Sequence, residues 1–259
     1  MDAQSHMRLH PAINSSERKV LPFRSATMST QIVAQVRDAL FARELRPGDF
    51  LGTEKDLAGR FGVSRIVARD ALRTLEAQGV VDIKVGSGGG ARIAQGNARL
   101  FAEALAVQLD LAGVSTSEIM DAQRAIECLA AELAAVNSTA EDHARLRELI
   151  VDAEGKIDDV VAFTRSSREF HLAVAEASHN RVLVVQLISL QHVSWPARNP
   201  TLTAKVARRI LDAHKELASL IEIRDAAGAR RLMDDHVKMI AARRVAEHRD
   251  KRPAEQDCC

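Results

Sequence analysis

Between Gly79 and Ala94 the hydrophobic period of this chain changes from that of helices to that of strands, and the change does not recur. Val81, Ile83 and Val85 alternate with Asp82 and Lys84, Gly86-Ser87-Gly88-Gly89-Gly90 turns the chain, and Ala91 to Ala94 can return. Three short helical patterns precede this hairpin. The first runs from Thr30 to Leu45, with Ile32, Val33, Val36, Ala39 and Leu40 on one side and Pro47-Gly48 as the stop. Thr53 is an N-cap for Glu54 to Phe61, and Gly62 ends that helix. Ser64 caps a third, which runs to about Gln78. Helix, helix, tight turn, helix and hairpin make a winged helix-turn-helix.

No strand signal follows Ala98. Helical patterns cover roughly 98–111, 116–136, 139–153, 158–178, 181–194, 203–224 and 225–248. The expected fold class is therefore mainly α: a winged helix-turn-helix over 29–95, then an all-α bundle over 98–248. Residues 1–28 lack an apolar signal core and read as a disordered extension, 94–97 as a linker, and 249–259 as a disordered tail. A composition of 46% hydrophobic but only 3% aromatic residues suits a helical core of Ala, Leu, Val and Ile.

Charge says little about partners. Residues 1–97 carry 14 Lys and Arg against 10 Asp and Glu, and the remainder 22 against 25. An excess that small does not by itself imply nucleic acid, so placement has to carry the case. Three cysteines without framework spacing suggest a reducing cytoplasm, and no apolar run is long enough for a membrane span.

Placement does carry it. Arg65, Arg69 and Arg73 recur every four residues and form one stripe on the third helix, while Val67, Ala71, Leu72 and Leu75 form the packing stripe. A major groove admits one helix, and arginines near its N-terminus can pair with guanine. The Ser64 hydroxyl suits a phosphate, as does Lys84 on the wing, and the glycine-rich tip lets backbone approach the next groove. Three such arginines on an isolated helix would more simply solvate its face; here they follow a helix-turn-helix and precede a glycine-tipped hairpin.

The runs Pro47-Gly48-Asp49-Phe50-Leu51, Glu54-Lys55-Asp56-Leu57-Ala58, Gly62-Val63-Ser64-Arg65, Ala68-Arg69-Asp70-Ala71-Leu72 and Leu75-Glu76-Ala77-Gln78-Gly79 resemble the GntR family of bacterial regulators over residues 30–94. The resemblance implies phosphate contact at Lys55, operator contact at Arg65 and Arg69, and a wing glycine at Gly86. Gly52 and Ala68 stand where the family often has Ser and Val.

Three histidines lie in the apolar stripes of different helices: His171 with Phe163, Ser167 and Val174; His214 with Leu211, Leu217 and Ile221; His236 with Leu232, Met233 and Ile240. Spacing alone leaves two readings open, satisfied core histidines or a metal site, since imidazole suits Zn, Ni and similar ions. The pattern Phe170-His171-x-x-Val174-Ala175-x-Ala177-Ser178-His179-Asn180, then Ala213-His214 and Asp235-His236, resembles the FCD ligand-binding domain of the FadR subgroup. That resemblance implies a divalent metal (Zn, Ni or Mn) on His171, His214 and His236, and a small carboxylate effector. The family's fourth ligand, an Asp or Asn, is here Ser167, so the ion has three histidines plus water or effector, or the site is weakened or empty. Glu169 points away from His171 and is a poor substitute.

By the same resemblance Arg124 pairs with an effector carboxylate; the alternative is an Arg124–Glu127 pair within the helix. His179 replaces a common Gly at a helix end. His192, Trp195 and Arg198 are candidates for the pocket lining. The expected partners are operator DNA, a carboxylate metabolite and a second copy of the chain, with repression the expected mode and no catalytic residue expected. Two rivals stand. A metal-dependent hydrolase could use the three histidines, although no inward carboxylate is evident as its base. A metal-free sensor of fatty acyl thioesters, as in the subgroup's namesake, would lack the histidine set.

Overall fold

A computed structural model describes residues 27–86, 88–193 and 202–249, with side chains up to residue 244. The expected disordered extension (all but its last two residues) and tail (all but its first), with Cys258 and Cys259, lie outside the described residues. The chain divides between Gln95 and Gly96 into two compact units.

The first unit holds α1 (Met28–Phe41), β1 (Phe50–Gly52), α2 (Glu54–Phe61), α3 (Arg65–Ala77), β2 (Val81–Lys84) and β3 (Gly90–Ile93). Its core is aliphatic: Ile32, Val33 and Val36 of α1 meet Leu57 of α2, Ala68, Ala71, Leu72 and Leu75 of α3, and Val81, Ala91 and Ile93 of the sheet. Thr53 and Asp56 form a reciprocal capping box that starts α2, and Gly62 ends it in the left-handed conformation at φ 63°. Ser64 then caps α3 by accepting from the Val67 N–H at 3.3 Å.

Three details depart from the sequence reading. The first helix runs Met28–Phe41 rather than Thr30 to Leu45, because Thr27 caps it and Arg43 turns left-handed at φ 60°. An unforeseen strand, β1, pairs with β3, so the sheet has order β1-β3-β2. Gly90 permits that pairing, since a Cβ there would lie 2.7 Å from the Phe50 ring. Finally, Val85 is 98% exposed rather than alternating inward, because the ladder ends at the Lys84–Gly90 pair and Val85 enters the wing turn.

The second unit is all helix: α4 (Ala98–Leu111), α5 (Thr116–Asn137), α6 (Ala140–Glu154), α7 (Val160–Ala177), α8 (Arg181–Val193), α9 (Ala204–Glu222) and α10 (Ala226–Arg249). Capping boxes at Ser115/Glu118 and Thr139/Asp142 start α5 and α6. The small stripe Ala131, Ala134 and Ala135 lets α5 approach its neighbours closely within a core containing Phe163, Phe170, Leu217, Ile221 and Met233. Arg224, left-handed at φ 66°, donates to the carbonyls of Ala135, Val136 and Ser138 and satisfies the end of α5. His179 is indeed a left-handed residue just past α7, at φ 53°, and its ring meets Asp142 at 2.9 Å. No helix among the described residues is long and apolar enough to cross a membrane.

Candidate nucleic-acid interface and metal centre

On α3 the two stripes separate cleanly. Ala68, Ala71, Leu72 and Leu75 are buried, with Val67 half-buried, while Arg65, Arg69 and Arg73 are exposed. Arg69 is held rather than loose: Nε donates to Glu54 Oε1 at 2.7 Å and Nη2 to Oε2 at 2.8 Å, a fork-to-fork pair tying α3 to the first turn of α2. The Arg69 hydrogen bond, helped by the positive charge of Arg69, Arg73 and Arg65, holds the Glu54 carboxyl below its ordinary range. Lys55 is exposed on the same turn of α2. Lys84 is exposed where β2 ends, followed by Gly86 at φ 108°; Ser87 lies outside the described residues. Ile66, which the sequence reading passed over, stands 76% exposed on the first turn of α3.

The second unit brings His171, His214 and His236 together. Their ring nitrogens lie within 4.8 Å of one another, and all three residues are buried. His171 Nε2 is 3.3 Å from His214 Nε2 and 3.2 Å from His236 Nε2. Nitrogens bound at 2.0–2.1 Å around a tetrahedral ion stand about 3.3 Å apart, so the donor set fits a divalent metal. Phe170 stacks on the His214 ring at 4.2 Å and fixes its plane. Burial, then the neighbouring imidazoles, hold His214 well below 6.5, and burial and His171 take His236 down to about 3. Both rings are therefore neutral at physiological pH, the form that ligates a metal.

The sequence reading missed Glu127. It is 1% exposed, and its Oε2 accepts from His171 Nδ1, while Gln123 Nε2 donates to its Oε1 at 2.5 Å. A carboxylate only accepts, so His171 Nδ1 carries a proton and Nε2 is the ring atom turned toward the other histidines. Burial alone would raise the Glu127 pKa; the charge and hydrogen bond of His171, the Gln123 bond and His236 outweigh it and hold the carboxyl below its ordinary value. Two expectations are corrected here. Glu127 does not pair with Arg124, and an inward carboxylate does exist, bound to the far nitrogen of a histidine, where it orients that ring. The signal was present: Glu127 lies on the buried stripe of Met120, Gln123, Ala131 and Ala134.

Arg124 turns instead to α10, where Nη1 donates to Asp234 at 3.0 Å. One residue away from the inward stripe, it joins the α5–α10 seam rather than the histidines. Ser167 is half-buried one turn before His171, and His192 half-buried in the last turn of α8. Glu169 is exposed, as expected. Trp195 and Arg198 lie outside the described residues.

Residues 28–90 match the family described as bacterial regulatory proteins, gntR family, and residues 118–239 match the FCD domain. The Uxu operon regulator of Haemophilus influenzae is 30% identical over 203 residues, covering 74% of this chain and 73% of that protein. The Uxu operon transcriptional regulator of Escherichia coli is 28% identical, covering 82% and 85%. The Streptococcus agalactiae GntR structure superposes with a TM-score of 0.58 at 21% identity, covering 83% of this chain and 99% of that one, which supports the shared fold. GntR regulators bind operator DNA, FCD domains bind small-molecule effectors, and some FCD domains bind metals. A hydrolase is set aside, since the relatives are transcriptional regulators. This chain belongs to the GntR family: it is a transcriptional regulator, not an enzyme, with an N-terminal winged helix-turn-helix and a C-terminal FCD domain.

Proposed function

We propose that the protein is a homodimeric cytoplasmic repressor whose grip on its operator is loosened by a small organic acid bound in the helical unit beside a divalent metal. The observation that carries this reading is the convergence of three buried imidazole Nε2 atoms, one of them oriented by a buried carboxylate, behind a helix-turn-helix with an exposed arginine stripe.

Arg65 and Arg73 face the bases and backbone of a half-site, with Arg69 positioned by Glu54. Ile66 offers an apolar contact to a thymine methyl, and Ser64, Lys55, Lys84 and Gly86 hold phosphates and the neighbouring groove. His171, His214 and His236 hold Zn, Ni or Mn, and the missing carboxylate at Ser167 leaves a position for water or effector. A bound divalent ion would supply a Lewis-acidic contact for an effector oxygen. Ser167 and His192 contribute polar contacts. Arg124 reaches an effector carboxylate only by exchanging Asp234 for it. The effector shifts operator affinity by the difference in its own affinity for the two states of the dimer.

The test combines fluorescence anisotropy on the protein's own promoter with a thermal-shift screen of small carboxylates, run with and without chelator. The expected result is a preference for the promoter over random duplex, weakened by Arg65→Ala, and a stabilising acid whose effect disappears with the metal. Equal affinity for both duplexes refutes the regulator mechanism, and no shift with any carboxylate in either state refutes the acid sensor.

A further inference from the structure

The Glu127 bridge leaves one polar atom unaccounted for. Gln123 is 93% buried as judged by its 7% exposure, and its Oε1 has no hydrogen-bond partner among the described residues. The amide cannot turn over to relieve this, because its Nε2 donates to Glu127 at 2.5 Å and the carbonyl in that place would face a carboxylate. Only a donor can satisfy Oε1. On α10, which packs along α5, His236 Nδ1 is likewise buried and without a partner among the described residues. One unmet polar atom therefore belongs to a clustered histidine and the other to a residue two hydrogen bonds removed from the cluster, through Glu127 to His171, and buried polar groups of native proteins are ordinarily paired.

We infer that Gln123 is a specificity-determining residue of the effector site: its side-chain carbonyl accepts a hydrogen bond from an effector hydroxyl, so the protein selects hydroxy acids over otherwise identical acids lacking that hydroxyl. The inference rests on the acid-sensor reading above and narrows it. The chain Gln123–Glu127–His171 fixes the acceptor relative to the histidines, so the hydroxyl is read at a defined place. Arg124, one residue on, faces Asp234 and does not compete for it. A site built to pair a hydroxyl rejects the analogue without one, because the buried acceptor is then left unmet.

The test is calorimetric titration of the full chain with matched acids: L-lactate, propionate and L-alanine; L-malate, succinate and L-aspartate; D-gluconate and 2-deoxy-D-gluconate. At least one hydroxy acid should bind about tenfold tighter than its deoxy partner, the worth of one buried hydrogen bond. Gln123→Met, which keeps the length and removes the acceptor, should reduce that preference to under about twofold, and Gln123→Asn should fall between. Circular dichroism confirms the fold of each variant, and the wild-type comparison decides even where a variant fails to fold. Equal binding within every pair, as when an ordered water alone occupies Oε1, overturns the inference and leaves the acid sensor standing. So does a preference that survives in Gln123→Met, or one for the amino acids. No binding by any acid removes the sensor reading itself and this inference with it.

Discussion

A single residue separates Gln123 and Glu127 from Arg124 in role, although all three lie within five positions of one helix. The 100° step of the helix turns the first two inward and the third to Asp234. Glu127 acts through His171 and not on a ligand directly, so Glu127→Gln should keep the fold while weakening zinc binding about 10–100-fold. Competition against a chromophoric chelator measures this, and an unchanged affinity would make Glu127 a packing residue only. On α3, Arg65→Ala should lose about 1–3 kcal/mol on the operator and relax preference at one base pair. Lys55→Ala should weaken binding to all duplexes alike and lower the salt slope by about one. Anisotropy titrations at several salt concentrations separate the two outcomes.

At the scale of elements, the helices start where their caps say they should, because each cap is decided within four residues. Thr53 and Ser64 were read as caps for that reason, and so was the Gly62 stop; the Ser115 and Thr139 caps obey the same local rule. Pairing across long sequence separations was not. Strand β1 exists because Phe50 and Gly52 pair with Arg92 and Ala91 of β3, far along the chain, and no local pattern announces it. The close approach of α5 to its neighbours depends on small side chains, with Ala134 0% exposed. Ala134→Leu should overpack that seam and destabilise the helical unit by about 1–3 kcal/mol in urea unfolding, at an unchanged m-value.

The whole molecule is two units with separate cores, so metal should act on one of them. Zinc added to chelator-treated protein should raise the melting temperature of the helical unit and leave that of the helix-turn-helix nearly unchanged. The same unit should be acid-sensitive without metal. His214 and His236 have native pKa values below the ordinary 6.5, so below that pH the unfolded chain binds protons that the native core refuses. Stability should therefore fall as pH drops from about 6.5 toward 3, by up to about 1.4 kcal/mol per pH unit for each histidine. The Glu127 carboxyl, also held low, loses its contribution in the acid part of the same range, and so acts in the same direction. Urea midpoints of chelated protein at pH 7.5, 6 and 5 check the sign; a flat profile contradicts it.

The amino-acid sequence alone determined which segments are helix, where the DNA-reading turn lies and which three histidines face inward, because periodicity and caps are local properties of neighbouring residues. Only the tertiary structure decided that Glu127 serves His171, that Arg69 is held by Glu54 and that Arg124 belongs to Asp234. Those partners come from other helices, 44, 15 and 110 positions away, and a charged side chain chooses among them by packing geometry that no single helix contains.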